Sequence, residues 1–331
     1  MSKLRNSNVL WFSVSTVILF LLIYFADYRE IISVLRNASL FYVILSVLSG
    51  LFTLLMWGLV WDSFFDILGI PINLRKSIKL LLAGLFLNAM TPLGKFGGEP
   101  FVAHLIGRRT DATYQQALSS LSSADLSNAI PFATFGIASI GYLAVFSTLE
   151  GLIADIAIIM VSITVSALLI VYLLWFNGAR KLVKIIGKVN VLEINYGRWQ
   201  PYIDSGKERG REILDRLEEV RTQPKKVVLA LCISHLAVMG HIGATYFGLM
   251  AVGLEPALHT VFLIVSLSSI FTFSPTPGSA GTIEAGLVIL ILAFYPTSIA
   301  TATSVAIIYR VATYLPGVIF GYLSFVSLNK D

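Results

Sequence analysis

Charge is what this sequence has least of. Asp, Glu, Lys and Arg make up 13% of its 331 residues, against roughly a quarter in an ordinary soluble domain. Hydrophobic side chains make up 56%, and mean hydropathy is +0.81. A chain so composed is an integral membrane protein. Cysteine is nearly absent as well: the single thiol, Cys232, can form neither an internal disulfide nor a thiolate metal cluster, and its apolar run reads it as a small buried hydrophobe. Long polar stretches are missing, since the longest, 177–226, is too short for a soluble catalytic domain. No phosphate-binding loop, zinc-peptidase signature, nucleophile elbow or dinucleotide fingerprint occurs. His235 and His241 are six apart, about 240° around a helix, so they share no face for a metal. His104 and His259 read as ordinary interface residues near helix ends. No enzymatic activity, cofactor, metal or nucleic-acid partner is therefore expected, and the net charge of +5 is a property of the loops.

What is present is a series of apolar runs. Those near the 20 or so residues that cross a bilayer fall at 9–25, 39–61, 117–147, 152–176, 227–251 and 298–326. No small-x-small cleavage site follows the first, so it reads as a retained span. Two further runs, 78–90 and 258–274, stop at Thr-Pro pairs and resume as shorter helical pieces near 99–107 and 281–294. The expected fold is all-α: about six full spans plus two re-entrant helical hairpins, 78–107 in a first half (1–176) and 258–294 in a second (227–331). The polar segment 177–226 joins the halves. Its stretch 204–221 puts Ile213, Leu214 and Leu217 on one face of a connector helix.

Basic residues orient the chain. With the N-terminus cytoplasmic and both broken regions re-entrant, 20 of the 24 Lys and Arg lie inside, only Arg29 and Arg36 outside, and Lys95 and Arg310 at membrane depth. Trp11, Trp57, Trp61 and Trp175 fall at inner helix ends, where interfacial anchoring places tryptophan. Both termini are expected in the cytoplasm of a multi-pass cell-membrane protein. The first hairpin then dips in from the cytoplasm and the second from outside, an inverted repeat of the kind used for alternating access.

The two breaks share a spacing. Residues 91–100 read TPLGKFGGEP and 276–285 read TPGSAGTIEA; in each, a glutamate sits eight positions after the threonine. Irregular backbone at membrane depth survives only where protein buries it or it lines a wet cavity. Gly94, Gly97 and Gly98, and likewise Gly278 and Gly281, allow the turn; Pro92 and Pro277 end the incoming helices, and Pro100 suits the first turn of the outgoing one. The half-helix N-termini would face the protein centre and favour a phosphate or carboxylate. Glu99 and Glu284 can cap amides there or bind a proton, cation or cationic headgroup. Lys95 and Arg310 are the matching positive charges, and Asp125 is a third acid, in the 117–147 span. Arg310, mid-run, needs a carboxylate, carbonyls or a substrate phosphate; Glu284 and Asp125 are its candidate ion-pair partners.

At these motifs the chain resembles the flippase-like integral membrane family typified by the transmembrane region of lysylphosphatidylglycerol synthases. The resemblance is carried by Asn88-x-x-Thr91-Pro92-x-Gly94 leading to Gly97-Gly98-Glu99-Pro100, by 275–285 from Thr276 to Glu284, and by Tyr309-Arg310 followed by Tyr314-Leu315-Pro316-Gly317. It implies a polytopic domain that moves lipids or lipid-linked headgroups between leaflets. Where members often carry a Glu-Arg pair followed by Asp, residues 123–128 read SADLSN, so the likeness assigns Asp125 no role. No counterpart of the synthases' soluble aminoacyl-transfer domain is present, so synthase activity is not implied.

The site expected from all this is Asn88, Thr91, Pro92, Gly94, Lys95, Gly97, Gly98, Glu99, Asp125, Thr276, Pro277, Gly278, Gly281, Glu284 and Arg310. The expected partner is a membrane phospholipid or polyprenyl-linked amphiphile, moved passively or by an ion gradient. A solute or ion carrier using the same site, or an accessory protein delivering lipid to a separate transferase, are the alternatives.

Overall fold

The computed structural model describes residues 2–91, 94–146, 219–274 and 276–330, with Ser162 and Ser166. Every regular element among them is helical. In order these are α1 (Ser2–Phe25), α2 (Tyr28–Asn37), α3 (Leu40–Ile67), α4 (Leu74–Met90), α5 (Gly94–Arg109), α6 (Tyr114–Phe146), α7 (Pro224–Ala251) and α8 (Leu258–Ser268). Two 3₁₀ turns follow, Ser269–Phe273 and Pro277–Ser279, then α9 (Thr282–Phe294), α10 (Ile299–Thr313) and α11 (Leu315–Lys330).

Among the described residues, five stretches are long and apolar enough to cross a membrane: α3, α6, α7, Pro277–Phe294 and the nearly continuous Ile299–Lys330. This is a multi-pass membrane protein. Of the six full spans expected, 152–176 lies outside the described residues except for Ser162 and Ser166, whose hydroxyl–carbonyl bond is helical. The connector helix at 204–221 is likewise outside, save for 219–221, which are helical.

α3 and α7 form the central seam. They run antiparallel: the Ser39 amide at the start of α3 donates to the Ala251 carbonyl at the end of α7 (2.8 Å). Further along, the Ser46 hydroxyl donates to the Ala244 carbonyl (2.8 Å) and Thr53 to the Ala237 carbonyl (3.0 Å). Gly240 makes this approach possible, because a methyl group there would collide with Thr53. Lipid offers little hydrophobic drive between spans, so such interfaces depend on small residues and side-chain hydrogen bonds.

The prolines follow a common rule: each removes the amide that would serve the carbonyl four residues earlier. Pro131, inside α6, leaves the Ser127 carbonyl, and Ser234 of α7 donates to it (3.0 Å). Pro316, in the first turn of α11, leaves the Ala312 carbonyl, which approaches α3 at Gly50 so closely that no side chain could stand there. At the first of these, α7 supplies a bond that hydrocarbon could not.

Arg75, Lys76 and Lys79 at the start of α4 share one open recess with Arg108 and Arg109 at the end of α5 and Leu328 near the end of α11. The starts of α6 and α7 join this basic end, through Gln116 to the Leu68 carbonyl and Gln223 to the Ile67 carbonyl. At the other end, His259 of α8 stacks on Tyr142 of α6 (4.5 Å), and Ser298, capping α10, donates to Glu30 of α2 (2.7 Å).

Three expectations are corrected by packing. Cys232 is exposed. It shares an outward face of α7 with Leu229, Leu236 and Met239, all exposed, the apolar stripe that lipid covers. Trp61 is buried in the core, and Trp57 lines internal cavities, so neither is an interfacial anchor; sequence position places them near a helix end, but their faces turn inward. Finally, α5 begins at Gly94, and Pro100 lies inside it. The glycines of the first motif are therefore helical, and α4 and α5 are separated only by 91–93, of which Thr91 is described. Gly98 is required by a contact: a methyl group at that point would overlap the Asn88 amide oxygen of α4, so α4 and α5 close tightly there.

Candidate functional site

The two breaks meet inside the protein. The Pro277–Ser279 turn packs against α4 and α5, and the Ser269–Phe273 turn against α5. Between them lies a cavity of about 200 Å³. Asn88 and Ala89 from the end of α4 line one side; Ser268, Thr272, Gly278 and Ser279 from the second break line the other. Arg310 and Tyr314, from the junction of α10 and α11, close it with Trp57, Phe132 and His241.

Each break ends in a way its residues dictate. At the first, Thr91 caps α4 and its hydroxyl donates to the Leu87 carbonyl (2.9 Å). At the second, Gly278 and Gly281 hold φ of 56° and 85°, left-handed values that glycine adopts without strain. Gly278 also makes room, since a methyl group there would strike the Tyr314 hydroxyl. Gly281 faces α1, where a Cβ would sit 3.0 Å from Ile18 Cβ. Ser279 is left-handed without being glycine (φ 52°), and its hydroxyl holds the turn by donating to the Thr272 carbonyl (2.9 Å). Thr276 and Pro277 are buried.

Glu284 and Arg310 form the charged centre. The Arg310 Nε stands 2.8 Å from Glu284 Oε1, both side chains only 12% exposed. The other carboxylate oxygen, Oε2, accepts from the Gly281 amide at 2.8 Å. Glu284 therefore does both things its position allows: it caps the N-terminus of α9 and neutralises a cation at membrane depth. The Arg310 Nη2 donates to the Gly278 carbonyl (3.2 Å), and its guanidinium lies 3.8 Å from the Tyr314 ring centroid, within cation–π range. Carboxylate, carbonyl and ring together give this cation the partners that burial requires.

Glu99 and Asp125 belong to a neighbouring compartment. They line a second void of about 30 Å³ with Asn128 and Trp61. Asn88, Trp57 and Leu85 form part of the wall of both voids. Of Arg310's two candidate partners, the structure thus brings Glu284 to it. Gly94, Lys95 and Gly97 occupy the first turn of α5; Pro92 lies outside the described residues. Among the described residues, no group of three or more His, Cys, Asp or Glu could hold a metal ion.

The aromatic and polar wall was not foreseen. His241 Nδ1 lies 2.9 Å from the Tyr309 hydroxyl, with Trp57 and Phe132 rings 5.1 and 5.9 Å away. As expected, His235 faces elsewhere, towards Thr134 (3.0 Å). The signal available for the wall was the run of Ser266, Ser268, Ser269 and Thr272 in an otherwise apolar segment, and Tyr309 and Tyr314 flanking Arg310.

Comparison with known proteins extends this picture. The family model described as the lysylphosphatidylglycerol synthase TM region matches residues 8–321. A UPF0104 membrane protein of Methanocaldococcus jannaschii is 26% identical over 343 residues, covering 99% of this chain and 97% of the relative. UPF0104 membrane proteins of Archaeoglobus fulgidus (24% identical; 88% of each chain) and Methanothermobacter thermautotrophicus (22%; 86% of this chain and 85% of the relative) are also similar.

Proposed function

Because the chain belongs to the lysylphosphatidylglycerol synthase transmembrane-region family, we propose that it translocates a phospholipid or lipid-linked amphiphile between leaflets, with the headgroup held in the cavity between the two helix breaks. That cavity, whose largely apolar wall carries Asn88, Ser268, Thr272, Ser279 and the ion-paired Arg310, is the observation that carries the reading. At about 200 Å³ it has room for a phosphate with a small alcohol, while the acyl chains would stay in lipid. An arriving phosphate would compete with Glu284 for Arg310, so headgroup entry and opening of the ion pair would be linked.

Two re-entrant hairpins entering from opposite sides are part of the same reading. α4 starts and α5 ends at the basic end, which we take as cytoplasmic together with both termini. The apolar part of α4, 80–90, rises about 16 Å at 1.5 Å per residue, roughly half of a ~30 Å hydrocarbon core. α8 starts, and α9 gives way to α10, at the other end. Matched element lengths support an inverted repeat: 28 residues in both α3 and α7, 33 in α6 and 32 in Ile299–Lys330. So do the neighbours: α4 lies on α11 as α8 lies on α6, and α5 on α6 as α9 on α10.

The test is leaflet exchange of fluorescent phospholipids in proteoliposomes of the purified protein. Exchange above protein-free vesicles, lost in Glu284→Gln, is expected. Exchange no faster than in empty vesicles across anionic, zwitterionic and polyprenyl lipids would overturn the reading. Uptake of a soluble solute instead would point to the carrier alternative, and inactivity combined with copurification of a transferase to the accessory one.

A further inference from the structure

The basic recess is separate from the translocation cavity and nothing above gives it a role. Its volume is about 520 Å³, and five cations converge on it from two helix ends: Arg75, Lys76 and Lys79 of α4, Arg108 and Arg109 of α5. No carboxylate is among its described lining residues. The acids of the neighbouring α3 end are engaged elsewhere: Asp62 accepts from Ser77 (2.7 Å) and Asp66 pairs with Lys226. A cytoplasmic surplus of Lys and Arg accounts for cations being at this end, but not for their gathering around one recess. Two of them are held in place from a third helix, Lys79 by the Ser327 hydroxyl (2.9 Å) and Arg109 by Asn329 Oδ1 (3.2 Å). Concentrated like charge with fixed donors is the electrostatics of a phosphate site.

The surface beside it adds an apolar track. On α5, Phe101, His104 and Arg108 are all exposed and lie on one helical face, so a chain anchored at Arg108 would run along Phe101. On α11, Ile319 and Leu323 are exposed and align with Ser327, the partner of Lys79. We infer that this recess binds the phosphate headgroup of an anionic membrane lipid, with its acyl chains lying along the outer faces of α5 and α11. The site does not depend on the protein being a translocator: it would hold lipid even in a protein that moves none.

The experiment is native mass spectrometry of the full chain in detergent, titrated with phosphatidylglycerol, phosphatidylcholine or water-soluble glycerol phosphate. The wild type should retain phosphatidylglycerol in preference to phosphatidylcholine. Substituting Arg75→Gln, Lys76→Gln and Arg108→Gln together leaves the two interhelix bonds intact and should weaken it by about tenfold or more, given what single juxtamembrane cations contribute. Arg36→Gln, at the opposite end, should leave binding unchanged. Should the triple variant fail to fold, Arg108→Gln alone should still weaken binding measurably. Equal retention of the two lipids, unchanged binding in these variants, or equally tight binding of glycerol phosphate would overturn the inference.

Discussion

Glu284 and Arg310 stand 2.8 Å apart across the junction of two helices, and the same carboxylate caps the Gly281 amide. Glu284→Gln keeps an acceptor for that amide but leaves the guanidinium without its counter-charge. Removing one partner of a buried pair costs about 3–5 kcal/mol, whereas replacing both can be nearly neutral. The expected order of melting temperature in detergent is therefore wild type, then the Glu284→Gln/Arg310→Gln double variant, then Arg310→Gln or Glu284→Gln alone. Additive losses in the double variant would show that the two residues do not act on each other.

Arg310→Ala should reduce leaflet exchange at least as strongly as Glu284→Gln, because it removes the only Lys or Arg among the described residues lining the cavity. Arg310→Lys should rescue only part of the rate: an ammonium cannot bond a carboxylate, reach the Gly278 carbonyl and lie flat on Tyr314 at once. Exchange rates measured at equal protein-to-lipid ratio decide this, and wild-type rates in Arg310→Ala would remove the residue from the mechanism.

Gly278→Ala is expected to destabilise by about 1–3 kcal/mol, since it combines a left-handed φ with a clash against the Tyr314 hydroxyl. Tyr314→Phe in the same chain should restore part of the loss by removing the struck oxygen. Thermal unfolding of the two variants makes the comparison; no recovery at all would mean that backbone strain accounts for the whole effect.

Gly98→Ala should push α5 away from α4 through the Asn88 amide. The Asn88 Oδ1 is buried with no hydrogen-bond partner among the described residues, so its removal forfeits no described bond through that atom. Asn88→Ala should therefore rescue Gly98→Ala in melting temperature. If the double variant is as unstable as Gly98→Ala, the contact is not what keeps this position glycine.

The single native thiol makes sidedness measurable. In a Cys232→Ser background, Arg75→Cys and Asp111→Cys flank the first helix break, and Glu255→Cys and Thr297→Cys flank the second. A membrane-impermeant maleimide applied to intact cells should label the latter pair and spare the former. Labelling of one member of either pair would make that hairpin a full crossing.

Residues that break a helix were readable, and residues that only face inward were not. The Thr-Pro pairs located both interruptions, and Arg310 was recognisable as a charge in an apolar run that must be answered, with Glu284 or Asp125 as its partner; the fold selects Glu284. The start of α5 is not legible because the glycines and Pro100 look like loop formers in isolation, and the contact of Gly98 with Asn88 of α4, which requires glycine, is between helices and leaves no local pattern. Trp57 and Trp61 were misplaced for a related reason, since position along a span says nothing of which way a side chain turns. His241 was weighed only as a metal ligand, whereas its partner Tyr309 lies 68 residues away and no local pattern announces it.

The joint between α3 and α7 limits how such a molecule can change shape. With carbonyls accepting hydroxyls across it and Gly240 leaving no slack, one half cannot slide along the other as a piston would. Rearrangement is left to the two helix breaks and to the turn at Tyr314, where Pro316 has already loosened the helix. The cargo gate would then be a local hinge beside a stationary spine, and cross-linking α3 to α7 should leave turnover intact.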